Sequence, residues 1–151
     1  MDQIDRKILV QLQTDSSLSH AELGDLVNLS ASQVSRRIAR MQQDGLIRKQ
    51  VAILNEQALG LMVEAYISIT LGSYSREIVA AFVGRVAALD EVLDCCATTG
   101  DSDYLLRVVT RDLKGLSHLI NDELLGHGDV ANVRSSITLE VIKRTTALPV
   151  Q

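Results

Sequence analysis

The chain has 151 residues, 46% of them hydrophobic, which is enough for one ordinary domain or two small ones with a packed core. It contains no run of about 18 apolar residues that could span a bilayer, and its N-terminus lacks the basic stretch, apolar run and cleavage site of a secretory signal. With a formal net charge of −4, this composition excludes the membrane-spanning and secreted classes, and we expect a cytoplasmic protein that does not bind membranes.

The two cysteines, Cys95 and Cys96, are adjacent within an apolar stretch. Strand alternation would point their side chains to opposite faces, so a disulfide between them would be strained. The three histidines, His20, His118 and His127, are scattered and form no cluster with metal-ligand spacing. We therefore expect reduced thiols, no metal, no cofactor and no enzymatic activity.

Charge is unevenly distributed along the chain. Residues 1–50 hold seven basic and six acidic residues, whereas residues 51–151 hold eight basic and thirteen acidic residues. Within residues 33–50 alone, five cations face one carboxylate, that of Asp44. The positive charge is therefore confined to one short segment, and the acidity belongs to the rest of the chain.

Three helices are predicted in the first part of the chain. Apolar residues at helical spacing predict helices over 3–13 and 20–27, and a third helix follows after about three residues and ends at Asp44-Gly45. Two short helices joined in this way, the second of them basic, form a helix-turn-helix, so we assign 1–47 as a DNA-binding domain. The second and third helices open with capping boxes, formed by Ser19 with Glu22 and by Ser30 with Gln33.

The pattern then changes to alternating strands and helices. We interpret 48–60 as a linker strand or wing, and 61–151 as a second domain. The order βαββαβ is typical of a ferredoxin-like sandwich, an α+β fold with four antiparallel strands and both helices on one face. The predicted strands are 63–71, 91–99, 103–111 and 132–142, and the predicted helices are 75–89 and 112–126.

The third helix has two distinct faces. Ile38 and Met41 lie within about 40° of Val34 around the helix, and the three predict a buried stripe, while the opposite face carries the small, hydrogen-bonding and arginine side chains that contact base edges and phosphates. Arg37 lies only about 60° from the stripe, so we expect a mainly structural role for it, with a phosphate contact left open. The residues assigned to DNA are Ser32, Gln33, Ser35, Arg36, Arg37 and Arg40.

A solvated helix surface is the alternative interpretation of this basic face. The capping boxes, the short turn, the Asp-Gly stop and the local charge all agree instead on a helix-turn-helix. Single-stranded RNA is disfavoured because residues 1–50 contain no Phe, Tyr or Trp on which bases could stack. One copy offers few cationic contacts, so we expect a dimer that contacts two half-sites on double-stranded DNA.

In the second half, "TTGDSDYLLRVV" joins two predicted strands through Gly100, with Asp101 and Asp103 beside Tyr104. A plain hairpin accounts for the glycine and the aspartates. Acid–base chemistry or a cation site is disfavoured because no further cluster of ligand residues lies nearby in the sequence. Exposed amides and a carboxylate at such a turn could also recognise the charged groups of an amino acid.

Five segments, spread over nearly the whole chain, carry a further signal in their order and spacing: "DQIDRKILVQLQTD", "AELGDLVNLSASQVSRRIARMQQDGLI", "LNEQALG", "TTGDSDYLLRV" and "SSITLEVIKRTTALPV". Together they resemble the Lrp/AsnC (feast/famine) family of prokaryotic transcriptional regulators.

The resemblance implies an N-terminal winged helix-turn-helix and a C-terminal effector-binding and oligomerisation domain of βαββαβ order. Members dimerise through their sheets and often assemble into octamers or other rings of dimers. Small effectors, usually amino acids, bind between dimers near the glycine-aspartate turn. On the matching positions here, the implied effector-binding residues are Thr98, Gly100, Asp101, Asp103, Tyr104, Ser135 and Ser136.

The sequence is compatible with three hypotheses of function. The leading hypothesis is a sequence-specific DNA-binding transcriptional regulator that responds to a small effector, an amino acid, through an oligomeric C-terminal domain. The alternative is an architectural DNA-binding protein without effector sensing. An enzyme on the same fold comes third, because no nucleophile–base pair or phosphate-cradling glycine motif is present.

Overall fold

The computed structural model describes residues 1–150. Its contacts divide the chain into two compact units. The first unit comprises Met1–Ile53 together with the tail that begins at Ile142, and the second comprises Leu54–Val141. This grouping differs from the predicted division into 1–47, 48–60 and 61–151 chiefly in the tail.

Three helices build the first unit: α1 (Gln3–Thr14), α2 (His20–Val27) and α3 (Ala31–Gln43). Each begins with a capping box, in which the cap side chain accepts from a backbone amide and the side chain three residues later accepts from the amide of the cap residue. These bonds satisfy amides that have no partner inside the helix, and they explain why the helices begin where the sequence predicts. The cap residues are Asp2, Ser19 and Ser30.

The three helices share one hydrophobic core. The predicted stripe of α3 is confirmed, since all three of its members are buried against residues of α1 and α2. The core therefore fixes which face of α3 remains outside. Its buried members are Ile8, Leu23, Val27, Val34, Ile38 and Met41.

The linker strand predicted within 48–60 is absent from the described chain. Residues 48–55 have neither helical nor strand hydrogen bonding, and a single 3₁₀ turn follows at Gln57–Leu59. Val51, Ile53 and Leu54 are 59%, 77% and 63% exposed. An extended segment becomes a strand only when a second backbone pairs with it, and no segment of residues 1–150 does so here.

The second unit has the predicted α+β architecture of βαββαβ order. Its sheet has the order β2-β3-β1-β4, with antiparallel pairing between all neighbours. The second helix begins as an α-helix and continues directly as a π-helical segment. The elements are β1 (Val63–Leu71), α4 (Arg76–Ala87), β2 (Val92–Ala97), β3 (Tyr104–Thr110), α5 (Leu113–His118) with its π-helical extension Leu119–Leu124, and β4 (Val130–Ile137).

Alternation along β1 gives the sheet its two faces. Ala65, Ile67, Ile69 and Leu71 are buried in one core with residues of α4, α5 and the π-helical segment, which confirms that both helices cover the same face. The residues between them point to the other side, which we call the open face. No helix of the second unit, Leu54–Val141, packs on this open face.

The last strand and the tail depart from the prediction. β4 ends at Ile137 rather than at 142, and the residues after it form no regular element. In the tail, the side-chain amide of Gln13 donates from Nε2 to the carbonyl of Leu148 (3.1 Å) and accepts at Oε1 from the amide of Leu148 (2.6 Å). This two-bond contact fastens the tail to α1 within the first unit.

Candidate DNA-binding helix and effector pocket

The outer face of α3 carries the side chains predicted to contact DNA. Ser32, Gln33, Arg36 and Arg40 are exposed, as predicted for a reading face, and Ser35 is half-buried. A shallow cleft of about 330 Å³ runs along this face. Its lining residues are Leu29, Gln33, Arg36, Arg37 and Arg40.

Arg37 is held by two carboxylates of α1 and its cap. Its Nη1 lies 2.7 Å from Oδ2 of Asp2 and 2.7 Å from Oδ1 of Asp5. The Asp5 side chain is only 1% exposed, and that of Arg37 is 25% exposed. Arg37 therefore joins α3 to α1, in line with the mainly structural role expected for it.

The same buried carboxylate also engages Arg40, whose Nη2 lies 2.6 Å from Oδ2 of Asp5. Oδ2 of Asp5 additionally accepts from the amide of Asp2 (3.0 Å). Both oxygens of Asp5 are thus saturated by charged or backbone donors, as a buried carboxylate requires. Arg40 remains 52% exposed, so part of its guanidinium still faces solvent.

This network shifts the pKa values of its members. Burial, the largest single influence, raises the pKa of the Asp5 carboxyl, but the amide of Asp2 and the guanidinium groups of Arg37 and Arg40 outweigh it and hold that pKa below its usual value. The amide of Asp5, followed by the Arg37 guanidinium, lowers the pKa of Asp2 to about 2. The hydrogen bonds to Asp2 and Asp5 raise the pKa of Arg37.

Arg36 differs from its two neighbours. It is exposed, and no residue among 1–150 forms an ion pair or hydrogen bond with it. Beside it, Oε1 of Gln33 accepts from the amide of Ser30 (3.0 Å), which leaves the two N–H groups of that side chain free to donate. A free guanidinium and a free amide donor on one exposed helical face are suited to acceptors on guanine or adenine edges, or to phosphates.

The glycine-aspartate turn closes the hairpin between β2 and β3. The amide of Thr98 donates to the carbonyl of Asp103 (2.9 Å), and Oγ1 of Thr98 donates to the carbonyl of Ser102 (2.8 Å). Gly100 has φ +115°, a backbone conformation that residues with a side chain rarely adopt, which accounts for glycine at this position. Thr98 thus shapes the loop through bonds from its amide and its hydroxyl, and Gly100 shapes it through its backbone conformation.

Asp103 is also committed within the fold. Its Oδ2 accepts from the amide of Leu71 (2.7 Å) and its Oδ1 accepts from the hydroxyl of Tyr74 (2.7 Å). The bond to Asp103 raises the pKa of the Tyr74 hydroxyl, because ionisation would place two negative charges side by side. The carboxylate therefore ties the turn to the end of β1.

The remaining predicted effector residues are not brought together. Tyr104 pairs with Ile69 and points to the helix-covered face, where its ring lies 4.9 Å from that of Phe82. Ser135 pairs with Ile67 on the same face, whereas Ser136 pairs with Tyr66 on the open face. The pleat thus separates the two serines.

A small cavity of about 210 Å³ lies on the open face beside the turn. It contains Asp101 of the predicted set but adds residues that the sequence analysis did not identify, because strand register, rather than any motif, brings them beside the turn. Alternation along β1 and β4 was the only signal that could have indicated them. The lining residues are Ser68, Thr70, Asp101, Ser102, Asn132 and Arg134.

Other chemistries find little support in residues 1–150. No three His, Cys, Asp or Glu side chains are grouped there so as to hold a metal ion. Cys95 and Cys96 are free thiols. Burial raises the pKa of Cys95, and the neighbouring Asp94 raises that of Cys96, so neither is an activated thiolate. Every helix in the same range is too short or too polar to span a bilayer.

Comparison with known proteins identifies both units. Residues 1–42 match the model of the AsnC-type helix-turn-helix domain, and residues 64–148 match that of the Lrp/AsnC ligand binding domain. The chain belongs to the Lrp/AsnC family of transcriptional regulators. The resemblance to this family seen in the sequence is therefore confirmed.

Several transcriptional regulators are similar to this chain over nearly their whole length. The DNA-binding transcriptional activator DecR of Escherichia coli (strain K12) is 34% identical over 100% of this chain and 99% of its own. The transcriptional regulator AzlB of Bacillus subtilis (strain 168) is 31% identical over 99% and 96%. Among solved structures, the complex of transcriptional regulator NMB0573 from Neisseria meningitidis with L-Met superimposes with a TM-score of 0.95 at 36% identity, covering 99% of this chain and 96% of that one.

Proposed function

We propose that this protein is a sequence-specific DNA-binding regulator that contacts double-stranded DNA through α3 and responds to an amino-acid effector through its second unit. The observation that carries this proposal is the exposed, unpaired guanidinium of Arg36 on the outer face of a helix-turn-helix, in a chain whose net charge is −4. An acidic protein gains electrostatic attraction to phosphate only where its cations are locally concentrated.

The contacts of α3 support different roles for its three arginines. Arg36 is the principal base- or phosphate-contacting side chain, with the amide of Gln33 beside it. Arg40 shares its guanidinium between Asp5 and the exposed face, so it is suited to a phosphate contact that fixes register. Arg37 is a positioning residue, because both of its partners lie within the protein.

A dimer that assembles further, for example to an octamer, completes the proposal. A single α3 offers too few cationic contacts for tight binding at physiological salt, and a dimer doubles them. The open face supplies exposed apolar and aromatic surface for a second copy, including Tyr66 (41% exposed) and Leu105 (37% exposed). The L-Met complex of the Neisseria relative supports an amino acid as the effector class.

The DNA-binding part can be tested by selecting duplexes from a random pool with the purified protein. An enriched sequence should then bind at least tenfold more tightly than its scrambled version at the same salt concentration, because one good base contact is worth about 1–3 kcal/mol. Arg36→Ala should remove most of this preference. Equal binding of enriched and scrambled duplexes would contradict sequence-specific regulation and favour the architectural function.

A further inference from the structure

We propose that the second unit has a binding site for a small aliphatic amine, an organic cation with an alkyl body, in a cavity at the end of the sheet where β3 stops and α5 begins. The cavity has a volume of about 360 Å³, at the lower end of the roughly 300–1,000 Å³ typical of small-molecule sites. The 7 residues of β3 separate it from the glycine-aspartate turn by about 20 Å. This inference goes beyond the proposed function, because it adds a second site and a different class of ligand.

The cavity is separate from the regions already assigned. It shares no lining residue with the cavity beside the turn, and Tyr66 and Leu105, which the open face offers to a second copy, do not line it. Its walls come instead from the chain before β1, the connection between α4 and β2, the end of β3, and α5 with its π-helical extension. All of these segments belong to the second unit.

Apolar side chains form part of the cavity wall. Leu119 of the π-helical segment and Val109 of β3 are only 3% and 4% exposed, and Leu61 and Leu89 are half-buried. An alkyl chain placed against such a wall is removed from water, which favours binding, whereas a bare metal ion gains nothing from it. The wall therefore suits an organic ligand, in agreement with the lack of any metal-ligand group within residues 1–150.

Two carboxylates without a protein partner also line the cavity. Glu123 is half-buried and lies four residues after Leu119, on the same side of the π-helical segment. Glu91 is placed beside the end of β3, because its carbonyl accepts from the amide of Val109 (2.9 Å). Neither carboxylate has an ion-pair partner within 4.0 Å or a hydrogen-bond partner among residues 1–150. Both are therefore available to accept hydrogen bonds from an ammonium group.

The other charged groups at the cavity determine which sign of ligand it favours. Asp112 is already engaged, since its Oδ1 accepts from the amide of Gly115 (2.7 Å), and Nε2 of His118 lies 3.4 Å from Oδ2 of Asp122. Arg111 has no partner among residues 1–150, but it is exposed, so water can satisfy it. The two free carboxylates thus outnumber the free guanidinium, and the cavity favours a cation over an anion.

The backbone that carries Leu119 and Glu123 supports a binding function. In this π-helical segment the amide of Leu125 donates to the carbonyl of Ile120, five residues earlier (2.9 Å), instead of to the fourth residue before it. Such segments are rare in proteins and are found frequently at functional sites. The segment and the cavity coincide here.

Thermal shift of the full-length protein tests this site. The probe is cadaverine, a straight-chain diamine, added at millimolar concentration, because a ligand that binds the native state raises the Tm. Pentanol has the alkyl chain without a charge, ammonium chloride has the charge without the chain, and aminocaproate has a carboxylate in place of one ammonium group. The variants are Glu91→Gln and Glu123→Gln, and Glu140→Gln is the matched control, because Glu140 is an exposed carboxylate of the same unit outside the cavity.

We expect cadaverine to raise the Tm, pentanol and ammonium chloride to leave it unchanged, and Glu140→Gln to bind as the wild type does. Glu91→Gln and Glu123→Gln should each weaken cadaverine binding about ten- to hundredfold, since a charge-assisted hydrogen bond is lost. Arg111→Gln should bind cadaverine at least as tightly as the wild type, because a repelling charge is gone.

The absence of a Tm rise with cadaverine overturns the site, and so does a rise that persists in both Glu91→Gln and Glu123→Gln. Tighter binding of aminocaproate than of cadaverine, with the difference lost in Arg111→Gln, overturns the amine as the class of ligand, because the guanidinium would then hold a carboxylate.

The same assay separates this site from the amino-acid effector of the proposed function. The common L-amino acids are added singly at millimolar concentration, and one that raises the Tm of the wild type should raise it equally in Glu91→Gln and Glu123→Gln. A rise that these two variants abolish would show that the effector occupies this cavity, and it would overturn the separate amine site.

Discussion

Arg37 of α3 donates to the almost completely buried carboxylate of Asp5 in α1 across 2.7 Å, and this single contact assigns the arginines of the basic helix to different roles. Because the Asp5 carboxylate also accepts a hydrogen bond from Arg40, one α1 side chain neutralises two of the three cations in the middle of α3. Two arginines of the basic face therefore help to hold α3 against α1, and Arg36 is the one that has no partner within the described chain.

Removing the Asp5 carboxylate should destabilise the first unit. Asp5→Asn leaves Arg37 without its buried partner, and we expect the free energy of unfolding to fall by about 3 kcal/mol. Urea denaturation followed by circular dichroism measures this. Asp25→Asn is the control, because Asp25 is an exposed carboxylate on α2. Equal stability of the two variants would show that the Asp5 network does not hold α3 against α1.

Two adjacent arginines should fail in different ways when each is replaced by alanine. Arg36→Ala should leave the unfolding transition unchanged and weaken binding to a preferred duplex about ten- to hundredfold. Arg37→Ala should lower the unfolding free energy by about 2 kcal/mol, because a buried carboxylate loses a charged donor. Fluorescence anisotropy and urea denaturation of the same preparations separate the two effects. The reverse assignment would hold if Arg37→Ala abolished DNA binding while keeping full stability.

Acid should weaken the first unit over a defined range of pH. The folded-state pKa of Asp2 is about 2, below its ordinary value of 3.8, and that of Asp5 is also lowered. A depressed folded-state pKa contributes stability that is complete above the unfolded-state pKa and is lost as the pH falls through the folded-state pKa. Stability should therefore decline from about pH 4 toward pH 2. Thermal melts across this range should show a smaller decline in Asp2→Asn, and identical declines would refute the role of Asp2.

The hydroxyl of Tyr74 should ionise at a higher pH than an ordinary tyrosine. Its bond to Asp103 raises the pKa of its hydroxyl above the ordinary value of 10.0. Ultraviolet titration of the wild type should show a late step, that is, a tyrosine ionisation at a pH above this ordinary value. Asp103→Asn should return that ionisation toward the ordinary range because the neighbouring charge is gone. Tyr74→Phe identifies the residue by removing the late step. A late step that persists in Asp103→Asn would show that the bond is not formed in solution.

Much of the fold could be predicted because its signals are local. The capping boxes at Ser19 and Ser30 located the starts of α2 and α3, and the strand-like pattern of residues 63–71 predicted the range of β1. The structural role of Arg37 also followed from its angle to the buried stripe. The sequence could not identify its partners, because Asp2 and Asp5 are more than thirty residues away along the chain.

The effector region was harder to predict, because strand pairing and side-chain packing determine which of its side chains lie together. Asp103 and Tyr104 lie in the resembling motif, yet one is bonded to Tyr74 and the other packs on Phe82. Arg134 belongs to no motif and is placed beside Asp101 by register alone. For the same reason the linker strand was wrongly predicted: extended, apolar residues form a strand only where a partner backbone exists.

Regulation requires that effector binding and DNA binding are coupled. The affinity of the wild-type protein for its preferred duplex, measured with and without the amino acid that raises its Tm, shows whether they are. We predict that the amino acid changes the dissociation constant by about 5- to 150-fold, the usual range for allosteric coupling, and that a scrambled duplex shows no comparable change. An unchanged dissociation constant at saturating amino acid would contradict this coupling, because a ligand that does not alter DNA affinity regulates nothing through this helix-turn-helix.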